Sequence, residues 1–192
     1  VIKYYRKDGD ILIAYHIDRA GSLQIGQTIQ PFIQDNIYRV PHLSNWGLSV
    51  VEDPLTAIET INTHNIEVQA ENIRKDKFPD MPSRFSSFFG IQELEHLSLW
   101  RNILHFTNDA KVYEISYEGF APLLDAKFLN VKACNDIFND KPCLQSEIER
   151  TIKLIESIYL YWSGACSKNP LPELLIPLPV TVVREISLDT LP

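Results

Sequence analysis

Apolar positions along this chain follow two periods, one of about two residues and one of about three and a half, and these separate strands from helices. "ILIAYHI" (11–17) is a run of β-type residues after the turn signal Asp8-Gly9-Asp10, which predicts a strand. A loop with two glycines follows, "RAGSLQIGQTI". In 51–78, Asp53 is placed as an N-cap with Pro54 at the first helical position. Leu55, Ile58, Ile61, Ala70 and Ile73 lie near one face, so one helix or a broken pair is expected. "RFSSFFG" (84–90) reads as a buried strand ending in a glycine. "IQELEHLSLWRNILHF" (91–106) reads as an amphipathic helix with Leu94, Leu97, Trp100 and Leu104 on its stripe.

Further on, "AKVYEISYEGF" (110–120) sets Val112, Glu114 and Ser116 against Tyr113, Ile115 and Tyr117, a strand pattern. Glu114 and Glu118 are expected to face solvent. "LLDAKFLNV" predicts another strand or a short turn. Ser146-Glu147-Ile148-Glu149 fits a capping box, and Ile148, Ile152, Ile155, Tyr159 and Trp162 then repeat at helical spacing. Gly164 is placed to stop that helix. Trp100, Tyr159 and Trp162 are expected in the core. "ELLIPLPVTVVREI" (173–186) predicts two strands joined at prolines. Strands therefore begin and end the chain, with helices between. Regular β-α alternation and a GxGxxG turn are both missing, which disfavours a doubly wound nucleotide fold.

Composition narrows the picture. The 192 residues suit a single domain spanning 1–192, and a hydrophobic fraction of 45% supplies one sizeable core. A net charge of −7 argues against general nucleic-acid affinity on electrostatic grounds. The apolar runs fall short of the roughly 20 residues that span a bilayer, and no signal-peptide pattern appears at the N-terminus. Cys134, Cys143 and Cys166 are odd in number and irregularly spaced, which predicts reduced thiols rather than a disulfide framework or a zinc site.

Some residues stand out chemically. Glu173 opens an apolar, proline-bounded strand. Arg84 precedes an otherwise apolar strand, where its charge needs a partner. His16 sits near a strand end and can donate on one ring nitrogen while accepting on the other.

Several stretches together resemble the ADP-ribosyltransferase superfamily. Tyr15-His16 followed by Leu23-Gln24-Ile25-Gly26 is similar to the strand end and loop of rifamycin-modifying members. Phe85-Ser86-Ser87 is similar to the aromatic-Ser-Thr-Ser strand of arginine-specific members. Glu173-Leu174-Leu175-Ile176-Pro177 matches their Glu-led strand. The order of a Tyr-His strand, Pro82-Ser83-Arg84, Tyr161-Trp162-Ser163-Gly164 and a terminal Glu-Leu strand also resembles a bacterial branch of that superfamily.

The resemblance implies an α+β fold of two small, mostly antiparallel sheets around an NAD cleft, with peripheral helices. It implies a mono-ADP-ribosyltransferase, with NAD as substrate and no metal. Glu173 would offset charge on an oxocarbenium-like transition state. His16, with Tyr15 beside it, would bind ribose and nicotinamide. Arg84 would clamp the pyrophosphate, and Ser86 or Ser87 would orient Glu173 or touch the ribose. Phe88 or Phe89 would stack on nicotinamide, and Asp125 is a rival acid. His16, Arg84, one of the serines and Glu173 are thus expected to converge. Leu171 stands where arginine-specific members carry a further Glu, which argues against arginine as acceptor. A protein target is implied, in the cytoplasm or in a cell into which the protein is delivered as an effector or toxin. The alternatives are an NAD glycohydrolase and a non-catalytic nucleotide-binding or interaction module of the same fold.

Overall fold

The computed structural model describes residues 3–5, 11–33, 42–43, 58–104, 110–129 and 144–187. Two four-stranded antiparallel sheets form its frame. The first orders β1 (Lys3–Tyr5), β8 (Ala121–Asp125), β9 (Pro172–Pro177) and β6 (Ser87–Gly90). The second orders β2 (Leu12–Asp18), β7 (Lys111–Tyr117), β10 (Val180–Ile186) and β3 (Thr28–Ile29). A separate ribbon pairs β4 (Phe32–Ile33) with β5 (His42–Leu43). The helices are α1 (Ile58–Lys77), α2 (Leu97–Leu104) and α3 (Leu144–Trp162). The architecture is α+β with two small antiparallel sheets, as expected.

Strand alternation produces the layers. In β7, Tyr113, Ile115 and Tyr117 face the first sheet and meet Ala14, Phe88, Leu174 and Ile176 in the central core. In β9 the alternate residue Leu175 faces the other way and packs with Leu124, Ala70, Ile158 and Trp162 under α1 and α3. A third cluster packs Leu97 of α2 on Ile17, Ile91 and Val112, on the outer face of the second sheet. The two sheets are stitched where Tyr15 and Ile91 exchange backbone hydrogen bonds of 2.8 and 2.7 Å.

Gly90 makes that approach possible. A Cβ built there would lie 2.6 Å from Ile176 Cδ1 and 3.2 Å from Ala14 Cβ, both between the sheets. Gly90→Val is expected to destabilise by about 1–3 kcal/mol through overpacking, read as a lower urea midpoint. An unchanged midpoint shows that the sheets can part at no cost.

Several expected elements are redrawn. The strand expected over 84–90 starts as a 3-10 turn, Arg84–Ser86, because Ser83 caps it: its Oγ accepts from Phe85 N at 3.2 Å. The helix expected over 91–106 divides into a 3-10 turn, Leu94–His96, and α2. The stretch 110–120 turns at Gly119, whose φ of 92° favours glycine, and "LLDAKFLNV" contributes the end of β8 and a 3-10 turn, Ala126–Leu129.

Helix α3 begins at Leu144, two residues before the expected cap Ser146. It ends as expected in a Schellman motif, with Ala165 N donating to Leu160 O and Gly164 N to Tyr161 O. Its buried face differs from the expected one. Ile158, Tyr161 and Trp162 are buried, whereas Tyr159 is 48% exposed and Ile152 and Ile155 are also exposed. The two apolar stripes lie about a quarter-turn apart on the helix, and Trp162 borders both. Trp100 packs partly buried against the third cluster. Asp53, Pro54, Leu55, Cys134 and Cys143 lie outside the described residues; Cys166 is a free, exposed thiol. Among the described residues no helix is long and apolar enough to cross a membrane.

Candidate functional site

The polar centre of the molecule lies on the helix-facing side of the first sheet. Because Leu174 and Ile176 turn into the central core, Glu173 turns toward α1 and α3. There it meets Arg84 from the 3-10 turn, Glu67 from α1 and Tyr161 from the last turn of α3. Arg84 Nε and Nη2 donate to Glu67 Oε2 and Oε1 at 2.8 and 2.9 Å, a bidentate pair. Its Nη1 donates to the Tyr161 hydroxyl at 2.6 Å and to Glu173 Oε1. The Tyr161 hydroxyl in turn donates to Glu173 Oε1 at 2.6 Å. Both donors reach the same carboxylate oxygen, and among the described residues Oε2 has no partner. The Phe89 ring lies 4.8 Å beneath the guanidinium carbon.

Burial makes these contacts strong. Arg84, Glu67 and Glu173 are only 8%, 5% and 4% exposed. Burial disfavours the guanidinium charge, but Glu173 and Glu67 outweigh it and push the Arg84 pKa well above its usual range. Burial raises the Tyr161 phenol well above its ordinary value. Arg84 stays cationic and Tyr161 keeps its proton. Next to this group, Arg74 donates to both oxygens of Glu71 at 3.0 and 2.9 Å. Ser83 Oγ donates to Glu71 Oε2 at 2.9 Å, and Arg74 Nη1 to Met81 O at 2.8 Å, which fastens the loop before Arg84 to α1.

His16 lies elsewhere. It projects from the inner face of β2, in register with Tyr113 of β7. Its ring lies 4.2 Å from that of Phe88. Nδ1 is 2.8 Å from the Phe89 carbonyl, which can only accept, so Nδ1 carries the proton. Burial lowers the His16 pKa, opposed by the Phe89 hydrogen bond and Asp18. Folding therefore favours the neutral ring, and its contribution to stability is full above about pH 6.5, the ordinary histidine value, and is lost as the pH falls through that value toward the folded pKa. His16→Gln is expected to flatten the rise of unfolding free energy as the pH climbs toward about 6.5. An unaltered slope in urea titrations shows that His16 does not supply it.

The expected convergence is thus divided by β6. Arg84, Phe89 and Glu173 come together on one side, while His16 and Phe88 meet on the other. Among the described residues the two groups share Phe89, whose ring faces Arg84 and whose carbonyl accepts a hydrogen bond from His16 Nδ1. Tyr15 points away from His16, to the outer face of the second sheet. Ser86 and Ser87 reach neither group: both hydroxyls donate to Ser83 O, at 3.3 and 2.7 Å. Arg84 already sends four hydrogen bonds to protein groups, which removes it as the expected pyrophosphate clamp.

Asp125 has a structural task. It accepts from the backbone N–H groups of Lys127, Ser167 and Leu171 at 3.1, 2.8 and 2.8 Å, pinning the segment before β9. Glu114, expected in solvent, is buried and accepts from exposed Arg184 at 2.7 Å; Glu118 is exposed as expected. Glu67 and Tyr161 were not expected at this centre. Their signal was faint: Glu67 and Glu71 stand one helical turn apart beside the apolar stripe of Ile66, Ala70 and Ile73.

Fold and site together define an α+β protein whose helical layer is tied to its sheet through a buried arginine–carboxylate–tyrosine centre. The family model described as a protein of unknown function, DUF2441, matches residues 33–188, and the chain belongs to that family. No curated protein matches the chain.

Proposed function

We propose that this protein is an NAD-dependent mono-ADP-ribosyltransferase in which Glu173 is the reacting carboxylate. One observation carries the reading. Arg84 and Tyr161, which belong to two of the segments of the family resemblance, both reach the carboxylate of Glu173 from a third, although Arg84 lies 77 residues from Tyr161 and 89 from Glu173. In the reaction the bond between ribose C1′ and the nicotinamide nitrogen breaks. Nicotinamide leaves neutral with the bonding pair, and positive charge develops on the ribose. A carboxylate anchored by Oε1, with Oε2 left for a ribose hydroxyl, offsets that charge in a buried site. The acceptor then bonds to C1′ and gives up its proton; with water as acceptor the outcome is NAD hydrolysis. His16, expected as a catalytic partner of Glu173, lies on the opposite side of β6, and this separation counts against the transferase and in favour of the second reading below. His16 steadies β6 through the Phe89 carbonyl.

A second reading has its own support. The near-complete burial of Glu173 also suits a non-catalytic module in which the centre is only a structural pin. NAD labelled in its adenosine half, incubated with the protein and a cell lysate, separates the two. Covalent label on a lysate component, with release of nicotinamide, supports the transferase. Unchanged NAD after prolonged incubation leaves the structural reading standing.

A further inference from the structure

We infer that Tyr161 and Glu67 are positioning residues for Glu173, taking the task that the serines of β6 and its turn cannot perform; the inference rests on the transferase reading above. The Ser86 and Ser87 hydroxyls are both committed to the Ser83 carbonyl. Tyr161 supplies the missing donor from the helical layer. Its ring is fully buried and packs edge-on against Trp162 at 4.8 Å, and Trp162 Nε1 donates to Ala70 O of α1 at 2.9 Å. The phenol is thereby held in place. Its single proton goes to Glu173 Oε1, while its oxygen accepts from Arg84. Rotating the carboxylate breaks this bond and the one from Arg84 together.

Glu67 acts at one remove. It has no hydrogen bond to Glu173, but it occupies the Nε–Nη2 edge of Arg84. With that edge taken, Nη1 is the nitrogen that reaches Glu173. Without Glu67, the guanidinium is free to turn a two-nitrogen edge toward Glu173, since arginine and carboxylate favour bidentate pairing. Both oxygens of Glu173 are then covered and none remains for the ribose. Glu67 thus keeps Glu173 bound through one oxygen.

The test measures nicotinamide release from NAD as kcat and KM for the wild type, Tyr161→Phe, Glu67→Gln and Glu173→Gln, with thermal unfolding and crystal structures of each. Tyr161→Phe and Glu67→Gln are expected to lower kcat by about 10–100-fold while KM stays within about twofold, the pattern of an interaction made mainly in the transition state. Their structures are expected to show a turned Glu173 carboxylate and a bidentate Arg84–Glu173 pair, respectively. Wild-type kcat in both variants, or a raised KM with unchanged kcat, overturns the positioning roles while an inactive Glu173→Gln keeps the transferase reading. A wild type that releases no nicotinamide, or a fully active Glu173→Gln, overturns the transferase reading and this inference with it. If Tyr161→Phe does not fold, Glu67→Gln decides the question by the same measurements.

Discussion

Glu173→Gln is expected to lower NAD cleavage by at least about 100-fold, or roughly 2.7 kcal/mol of transition-state stabilisation. The substitution keeps the shape of the side chain and removes its charge. Arg84 retains the bidentate Glu67 as counter-ion, so no buried charge is stranded. Exchanging the ionic bond for a neutral one is expected to cost about 1–3 kcal/mol of stability, and the protein stays folded. Activity and stability therefore separate in this variant. Nicotinamide release followed by chromatography, beside a urea titration, reads both. Cleavage of NAD at the wild-type rate by the Glu173→Gln variant reduces Glu173 to a structural contact and removes the proposed function.

Arg84→Met is expected to cost about 3–5 kcal/mol, the largest stability effect of any single change at this centre. Methionine fills part of the volume but leaves Glu67 and Glu173 facing each other in a buried space with no cation between them. It also leaves the Tyr161 hydroxyl without its donor. At about 2–4 °C per kcal/mol for a chain of this size, the melting temperature should drop by roughly 6–20 °C. Arg84→Lys is expected to recover little, because one ammonium cannot grip Glu67 on two atoms and reach Tyr161 and Glu173 as well. Combining Arg84→Met with Glu173→Gln should cost less than the sum of the single changes, since the second removes one of the stranded charges. Calorimetry on the set checks this. A loss below about 0.5 kcal/mol for Arg84→Met would mean that water and local relaxation replace the guanidinium.

Legibility differed from element to element. The period-two pattern of 111–117 carried its strand and its inner face directly, because Tyr113, Ile115 and Tyr117 must share one side of a pleated ribbon. The last helix was equally visible, but its buried face was not. Two adjacent apolar stripes ran along it, and the packing of Leu175 and Ala70 selected the one with Ile158 and Tyr161. For Arg84, the need for a partner was clear from its apolar surroundings, while the partner's identity was not. Glu67 lies 17 residues before it and Glu173 lies 89 after it, separations that local periodicity does not span.

By itself the sequence determined the alternation of 111–117, where the last helix stops and that Arg84 could not be left unpaired. These depend on backbone sterics, local hydrogen bonding and the cost of burying charge, all readable within a few residues. Only the tertiary structure decided that Glu173 belongs with Tyr161 and Glu67 and not with His16. The reason is geometric. Glu173 and Phe88 face opposite sides of the first sheet, and His16 packs on the Phe88 side, so β6 comes between them. Which residues share a side follows from strand pairing across the whole chain, and no local stretch contains that information.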